Sequence, residues 1–336
     1  MRKPVVLITG ANGEIGHGLI KSIAAKNDSS IVALDLDPLD DGLHPMVRDS
    51  VVTNILDTNS LERINAKYEI SEIYHLAAIL STRAEFSPHT AHDVNVGGTL
   101  NLLRMAVEQA SSQGSTLKFF FPSSIAVYGL SEKELAGAIT EDEQCRPQTM
   151  YGCNKLYCEH LGRYYSNYYR RLSAGTPGGR IDFRAIRFPG LISAETLPSG
   201  GTSDFGPEMI HAAARGEAYA CFVRPDTTMP FMTMPDAVAA IGKLMAAKKE
   251  LLSKSVYHIS AFSVSAKDFA GKVTSLYDNA SVTFKVNDKR QTIVDSWPAQ
   301  VDDSAAREEW GWSPHFEFDA AFDDYLVPEI NQRYAK

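Results

Sequence analysis

The stretch Val5-Val-Leu-Ile-Thr-Gly-Ala-Asn-Gly-Glu-Ile-Gly16 decides the fold. Its apolar opening has the length and composition of a strand buried on both faces. Gly10, Gly13 and Gly16 follow at once, ahead of Leu19, Ile20, Ile23 and Ala24 at helical spacing. In a strand that passes through three glycines into a helix, the first glycine permits the tight turn and the second lets backbone approach a pyrophosphate. The third lets helix pack on strand. The helix start then offers unpaired N–H groups and the positive end of its dipole to the phosphates. Glu14 and Ile15 lie inside this turn and are expected at the cofactor with the glycines.

Outward from this turn, short apolar runs alternate with amphipathic segments, the pattern of a parallel sheet with helices on both faces. Val5-Ile8, Ile31-Leu34, Ser50-Val52, Ile73-Leu76, Leu117-Phe121, Asp182-Ile186 and Val256-Ile259 are the candidate strands. They predict an α/β fold, a doubly wound parallel (Rossmann) sheet of about seven strands. Past residue 188 the rhythm breaks at Pro189-Gly190, Pro198-Ser-Gly-Gly201, Pro207 and Pro225. The expected division is a dinucleotide-binding domain over 1–188, with a strand returning near 256–260, and a smaller C-terminal substrate-binding lobe over 189–336. Ser173-Ala-Gly-Thr-Pro-Gly-Gly179 has the composition of a surface insertion.

Asp35 stands at the end of the second strand, where a carboxylate accepts from both ribose hydroxyls. A 2'-phosphate there meets like-charge repulsion, and no arginine follows until Arg48, so NAD is favoured over NADP. The bland alternative, a solvated turn acid, suits Asp37 better because it precedes Pro38.

Among the fourteen tyrosines only Tyr151, in Tyr151-Gly-Cys-Asn-Lys155, has a lysine four residues on. One helical turn puts the two on one face, and Phe120-Phe-Pro-Ser-Ser-Ile125 ends the preceding strand with the hydroxyls of Ser123 and Ser124. A phenol is a poor base at neutral pH until a nearby ammonium stabilises its anion. Ser124, Tyr151 and Lys155 thus form a catalytic set: Tyr151 as acid/base, Lys155 stabilising it and holding a ribose, and Ser124 orienting the reacting oxygen. The alternative is a helix-surface pair beside a serine strand cap.

Composition narrows the classes. With 336 residues, 44% hydrophobic and 22% charged, the chain is an ordinary folded protein, and a net charge of -8 leaves no cationic surplus for nucleic acid. No apolar run approaches the length of a membrane span, and a cytoplasmic location is expected. Four cysteines are too few for a disulfide framework and read as reduced, mostly buried thiols. Nine histidines, His89 and His92 among them, form no HExxH pattern, so no metal is expected.

The glycine turn, Asp35, His75-Leu-Ala-Ala78, Asn95-Val-Gly-Gly98, the Ser124, Tyr151 and Lys155 set and Arg187-Phe-Pro-Gly190 together resemble an extended short-chain dehydrogenase/reductase over essentially the whole chain. Within that superfamily the sequence is most similar to the zinc-independent L-threonine 3-dehydrogenases. Three segments carry this: Pro189-Gly-Leu-Ile-Ser193 with Pro198 to Phe205, Tyr257-His-Ile-Ser-Ala261, and Asp295-Ser-Trp-Pro298 with Asp302 to Trp312. From the residues alone, the last of these is lobe packing around Trp297, Trp310 and Trp312.

The resemblance implies NAD-dependent oxidation of the threonine 3-hydroxyl to 2-amino-3-oxobutyrate. It implies that Asn54 and Ile55, the trio Leu76, Ala77 and Ala78, and Asn95 border the cofactor. On the substrate side it implies Ser81, Ser124, Thr202 and Asp204, with Asp204 pairing the amino group. Departures are Asn54 for an acid, Ser199 and Ser203 in the glycine-rich segment, and Thr228 for an arginine with Pro235 in Thr228 to Asp236, which resembles the family's lid. The rival functions are a dehydrogenase for another small hydroxy acid or polyol, a nucleotide-sugar 4-epimerase, and a silent NAD sensor. The tyrosine-dense run Tyr157, Tyr164, Tyr165, Tyr168 and Tyr169, with the family likeness, points to a homodimer.

Overall fold

A computed structural model describes residues 4–26, 29–131, 137–172, 179–198 and 200–335. Its strands are β1 (Pro4–Thr9), β2 (Ser30–Asp35), β3 (Asp49–Val52), β4 (Glu69–His75), β5 (Thr116–Ser124), β6 (Arg180–Phe188), β7 (Gly190–Ile192), β8 (Ala218–Cys221), β9 (Thr228–Thr233), β10 (Val256–His258), β11 (Phe262–Ser265) and β12 (Ser281–Phe284). The helices used below are α1 (Glu14–Lys26), α2 (Thr58–Lys67), α3 (Ser81–Phe86), α4 (Pro88–His92), α5 (Thr99–Gln113), α6 (Met150–Asn167), α7 (Phe205–Ala214), α8 (Met234–Ala246) and α9 (Ala266–Leu276).

The main sheet runs β10-β6-β5-β4-β1-β2-β3, every pair parallel. These are the seven strands nominated from the sequence. Alternate residues of β1 feed two layers. Val5 and Leu7 join Leu61 and Ile64 of α2, Leu102, Leu103 and Ala106 of α5, and Cys158 of α6. Val6 and Ile8 join Leu19 and Ile20 of α1 and Ala237, Ile241 and Leu244 of α8. The strand order reverses between β1 and β4, which opens a crevice at their carboxyl ends.

The remaining elements build a second core around Phe205, Phe231, Phe269 and Phe322, with Phe231 and Phe269 at 5.8 Å and Phe269 and Phe322 at 5.1 Å between ring centroids. A three-stranded sheet, β11-β9-β7, and the pair β12-β8 frame it. Two expectations change here. The run 228–236, read as a lid, is the middle strand of the small sheet followed by the first turn of α8: β9 pairs β7 on one side and β11 on the other, and Met229 to Thr233 are buried. Pro235 is exposed in that first turn, where its missing N–H costs nothing. Trp297 packs in the lobe core, but Trp310 and Trp312 close the main sheet on the α8 side, Trp310 lying edge-on to Tyr257 at 5.9 Å. Residues 173–178 of the expected insertion, and Ser199, lie outside the described residues. Of the cysteines, Cys158 and Cys221 are buried, Cys145 is half-buried and Cys153 is exposed, and all four are free.

One buried charge pair fixes α6 on the sheet. Arg187 of β6 donates from Nε and Nη2 to the two oxygens of Glu159 at 2.8 and 2.7 Å, and from Nη1 to the Tyr128 hydroxyl and the Glu141 carbonyl at 2.5 and 2.6 Å. The Ser123 hydroxyl donates to the same carboxylate at 2.5 Å. Removing one partner strands a buried charge, so Arg187→Met is expected to cost about 3–5 kcal/mol, whereas adding Glu159→Leu recovers much of the loss. Urea unfolding of the two variants checks this; a double variant as unstable as the single one contradicts it.

Candidate active site

The glycine turn wraps over the ends of β2 and β4. Gly10 sits at φ +69°, and a Cβ there meets the Ala77 nitrogen at 2.6 Å, so only glycine allows the approach. The Gly10 and Ala11 amides donate to the Leu34 carbonyl at 2.9 and 3.3 Å. A Cβ on Gly16 meets the Ala11 carbonyl oxygen at 2.5 Å, which is how α1 packs so close to the turn. Gly13 is exposed, with only the Gly10 carbonyl near its Cβ direction, so the turn presents bare backbone outward. The first-turn amides of Glu14, Ile15 and Gly16 have no intrahelical acceptor.

Asp35 closes one end of this cradle. Its Oδ2 accepts from the Asn12 amide at 2.9 Å and its Oδ1 from the Leu36 amide at 2.7 Å, which fixes the carboxylate and leaves further lone pairs. Asn12 is itself held, donating to the Pro38 carbonyl at 2.8 Å and accepting from the Asp40 amide at 3.0 Å. A bare-backbone turn at a helix start, beside a fixed carboxylate, fits a dinucleotide: backbone for the pyrophosphate, Asp35 for a ribose diol.

Asn54 turns its carbonyl oxygen onto the Leu56 amide at 2.9 Å and is exposed, so its amide nitrogen is available. Ile55 is buried, its carbonyl accepting from Asn101 at 3.2 Å. Leu76, Ala77 and Ala78 line the end of β4, half-buried. The Asn95 amide is committed both ways to Ile79, accepting from its N–H at 2.7 Å and donating to its carbonyl at 3.0 Å. It therefore braces the segment that borders the crevice.

Ser124 ends β5, and Tyr151 and Lys155 share one face of α6. Thr149 caps that helix, accepting from the Gly152 amide at 3.1 Å, and a Cβ on Gly152 meets the Ala126 carbonyl oxygen at 2.1 Å. This contact brings the first turn of α6 against the end of β5. The Ser124 hydroxyl hydrogen-bonds the Tyr151 phenol and accepts from the Ala126 amide at 3.1 Å. Lys155 is buried; its Nζ donates to the Pro122 carbonyl at 2.6 Å and lies 4.6 Å from the Phe121 ring centre and 5.3 Å from that of Tyr151. Burial pushes the phenol up from its ordinary value, and the Ser124 bond is what opposes that. Burial lowers Lys155 to about 8, with Cys158 and Glu159 opposing.

On the facing wall, Ser81 opens α3 and the Thr202 hydroxyl reaches its Oγ at 3.5 Å. Asp204 folds back on its own turn, Oδ2 accepting from the Gly201 amide at 2.6 Å. Glu14 reaches across to accept from the Thr196 hydroxyl, and burial, with the nearby Asp204 charge, raises its carboxyl. The sequence reading missed Thr82, Gly200, Glu208 and Arg290, which also meet at this wall. Arg290 sits in the run Asn287-Asp-Lys-Arg290, whose charge reads as a solvated face.

Residues 6–260 match the model of the NAD dependent epimerase/dehydratase family. The chain belongs to that family. It is 33% identical over 315 residues to the mitochondrial L-threonine 3-dehydrogenase of Bos taurus, spanning 93% of this chain and 79% of that one. Among solved structures it is similar to a monomeric L-threonine 3-dehydrogenase from a metagenome in its apo form, with a TM-score of 0.85 at 34% identity over 98% of this chain and 99% of that one. It is also similar to the L-threonine dehydrogenase of Clostridium difficile, with a TM-score of 0.86 at 31% identity over 99% of each. As a member of the epimerase/dehydratase family the protein is an NAD-dependent enzyme.

The buried lysine gives a measurable linkage. Folded Lys155 loses its proton at about 8, whereas the unfolded chain keeps it to its ordinary 10.5, so this group destabilises the fold below that window and the penalty fades as pH rises through it. In urea unfolding of the free protein at pH 8 and pH 10, wild type is expected to gain stability relative to Lys155→Met. Parallel behaviour of the two proteins contradicts the assignment.

Proposed function

We propose that this enzyme oxidises the 3-hydroxyl of L-threonine to 2-amino-3-oxobutyrate. The observation that carries the reading is the Ser124, Tyr151 and Lys155 cluster at the end of β5, near the crevice where the glycine turn meets β4. Support also comes from relatives of nearly full coverage that are named for this reaction. NAD would supply the hydride acceptor, and the turn from Gly10 to Gly16, Asp35 and the edge from Leu76 to Ala78 would hold it. Ser124 donates to the substrate oxygen and Tyr151 takes its proton as the carbon–hydrogen bond is broken. The Pro122 carbonyl occupies one of the three protons of Lys155, which leaves two to stabilise the phenolate and to hold the nicotinamide ribose. Asp204 and Glu14 make the facing wall attractive to an ammonium.

We further expect a cytoplasmic homodimer. Tyr157 and Tyr164 of α6 and Tyr168 just beyond its end are exposed, at 52%, 45% and 46%, while Tyr165 stacks on Tyr169 at 4.8 Å. The exposed rings form the face on which a second copy would pack. Among the described residues no helix is long and apolar enough to cross a membrane.

Two measurements test this. With NAD, L-threonine is expected to reduce the cofactor faster than D-threonine, L-serine, 3-hydroxybutyrate or UDP-glucose, and Tyr151→Phe is expected to lose about two to four orders of magnitude in rate while binding NAD as before. Turnover of UDP-glucose in place of L-threonine favours the epimerase reading, and undiminished rate in the phenylalanine variant removes the phenol from the chemistry. In sedimentation, a species of twice the chain mass is expected, and a single-chain mass refutes the dimer.

A further inference from the structure

The substrate wall carries acids in plain view, yet the sequence reading gave it no cation. Burial raises the carboxyls of Glu14 and Glu208, and the Asp204 charge adds to both. Such a wall repels an anionic ligand unless a positive group stands beside it.

Arg290 is that group. It lies in the short helix Asp288–Val294, half-buried, with its guanidinium 4.2 Å over the Phe222 ring. Its Nη2 donates to the Gly200 carbonyl at 2.9 Å, and the same carbonyl accepts from the Thr82 hydroxyl at 2.9 Å. Thr82 follows Ser81, whose hydroxyl lies 3.5 Å from that of Thr202. Glu85 of the same helix α3 accepts from the Met150 amide at 2.7 Å, which ties this corner to the turn carrying Tyr151. Arg290 and the Thr82 hydroxyl therefore share one carbonyl, and Thr82 is the chain neighbour of Ser81.

Its donors are mostly unspent. A guanidinium carries five N–H donors in a planar fork, and Gly200 takes one. Among the described residues no carboxylate lies within ion-pair distance of it; Glu208 interacts with it only through space and accepts instead from the Tyr219 hydroxyl at 2.6 Å. A half-buried, unpaired guanidinium matches the two oxygens of a carboxylate. Acids and a guanidinium at the same wall are complementary to a zwitterion.

We propose that Arg290 receives the carboxylate of an α-amino acid substrate at the corner formed by Ser81, Thr82, Gly200 and Thr202, while Asp204 and its neighbouring acids face the ammonium. Arg290 thereby selects amino acids over neutral polyols and amides. This deepens the threonine reading and rests on it for the identity of the substrate. It also supplies the positive charge that Thr228 does not.

The test compares L-threonine with L-threonine amide, which keeps the hydroxyl and amine but lacks the charge. For Arg290→Met, KM for L-threonine is expected to rise about 10- to 100-fold, with kcat, NAD affinity and turnover of the amide within about threefold of wild type. Arg290→Lys should recover part of the loss. Equal losses on acid and amide would reduce Arg290 to a brace for the glycine-rich segment, and no change on either removes it from recognition. If wild type does not oxidise L-threonine, the threonine reading fails separately. Calorimetric binding of 3-hydroxybutyrate and L-serine to the NAD-loaded enzyme, against their amides, then decides: carboxylate binding lost in Arg290→Met sustains the proposal, and binding that is absent or unchanged ends it.

Discussion

The approach of helix α6 to the end of β5 is the contact on which the site depends, and two kinds of residue enforce it. Gly152 removes the side chain that would strike the Ala126 carbonyl, and Glu159, one turn beyond Lys155, is locked in a fork by Arg187 and shared with Ser123. The pair is expensive to desolvate, and its return is placement. Ser123 is the neighbour of Ser124, and Glu159 lies on the helix that carries Tyr151 and Lys155. One buried carboxylate therefore holds both the end of β5 and helix α6. Glu159 also favours the charged form of Lys155 against the burial that lowers it.

The two walls of the crevice differ in electrostatic character. The dinucleotide side offers backbone N–H groups and the fixed Asp35 carboxylate, a surface complementary to phosphates with a diol beyond them. The wall that carries Ser81 and Thr202 offers hydroxyls, acids and the Arg290 guanidinium. The Ser124, Tyr151 and Lys155 cluster sits at the end of β5 and has almost no exposed charge, because its lysine is buried against Pro122 and Phe121. A buried ammonium beside a half-buried phenol is a poor resting arrangement in energetic terms, since burial raises the phenol and lowers the amine.

Much of the fold was legible because its signals are local. Each of the seven nominated runs is apolar over a few residues, which is enough to identify a strand covered on both faces. The glycine turn was readable for the same reason: its spacing records a close approach between residues adjacent in sequence. Errors arose where the same local signal has two tertiary uses. The run 228–236 resembles the family's lid, and only the pairing of β7 and β11 on its flanks shows it to be a buried strand. Trp310 and Trp312 announce a core without saying which core, and Trp310 meets Tyr257 on the main sheet with Trp312 beside it.

The sequence by itself determined the strand-turn-helix at residues 5–16, the carboxylate at Asp35, the i, i+4 partnership of Tyr151 and Lys155, and the alternation that makes the sheet parallel. Each follows from chain geometry over a few residues. The tertiary structure alone decided that Asn95 spends its amide on Ile79, that Glu159 meets Arg187, and that Arg290 arrives beside Gly200 and Thr82 from far along the chain. Those pairings join residues separated by tens to more than two hundred positions, and a linear pattern holds no record of which distant charge will satisfy which buried polar group.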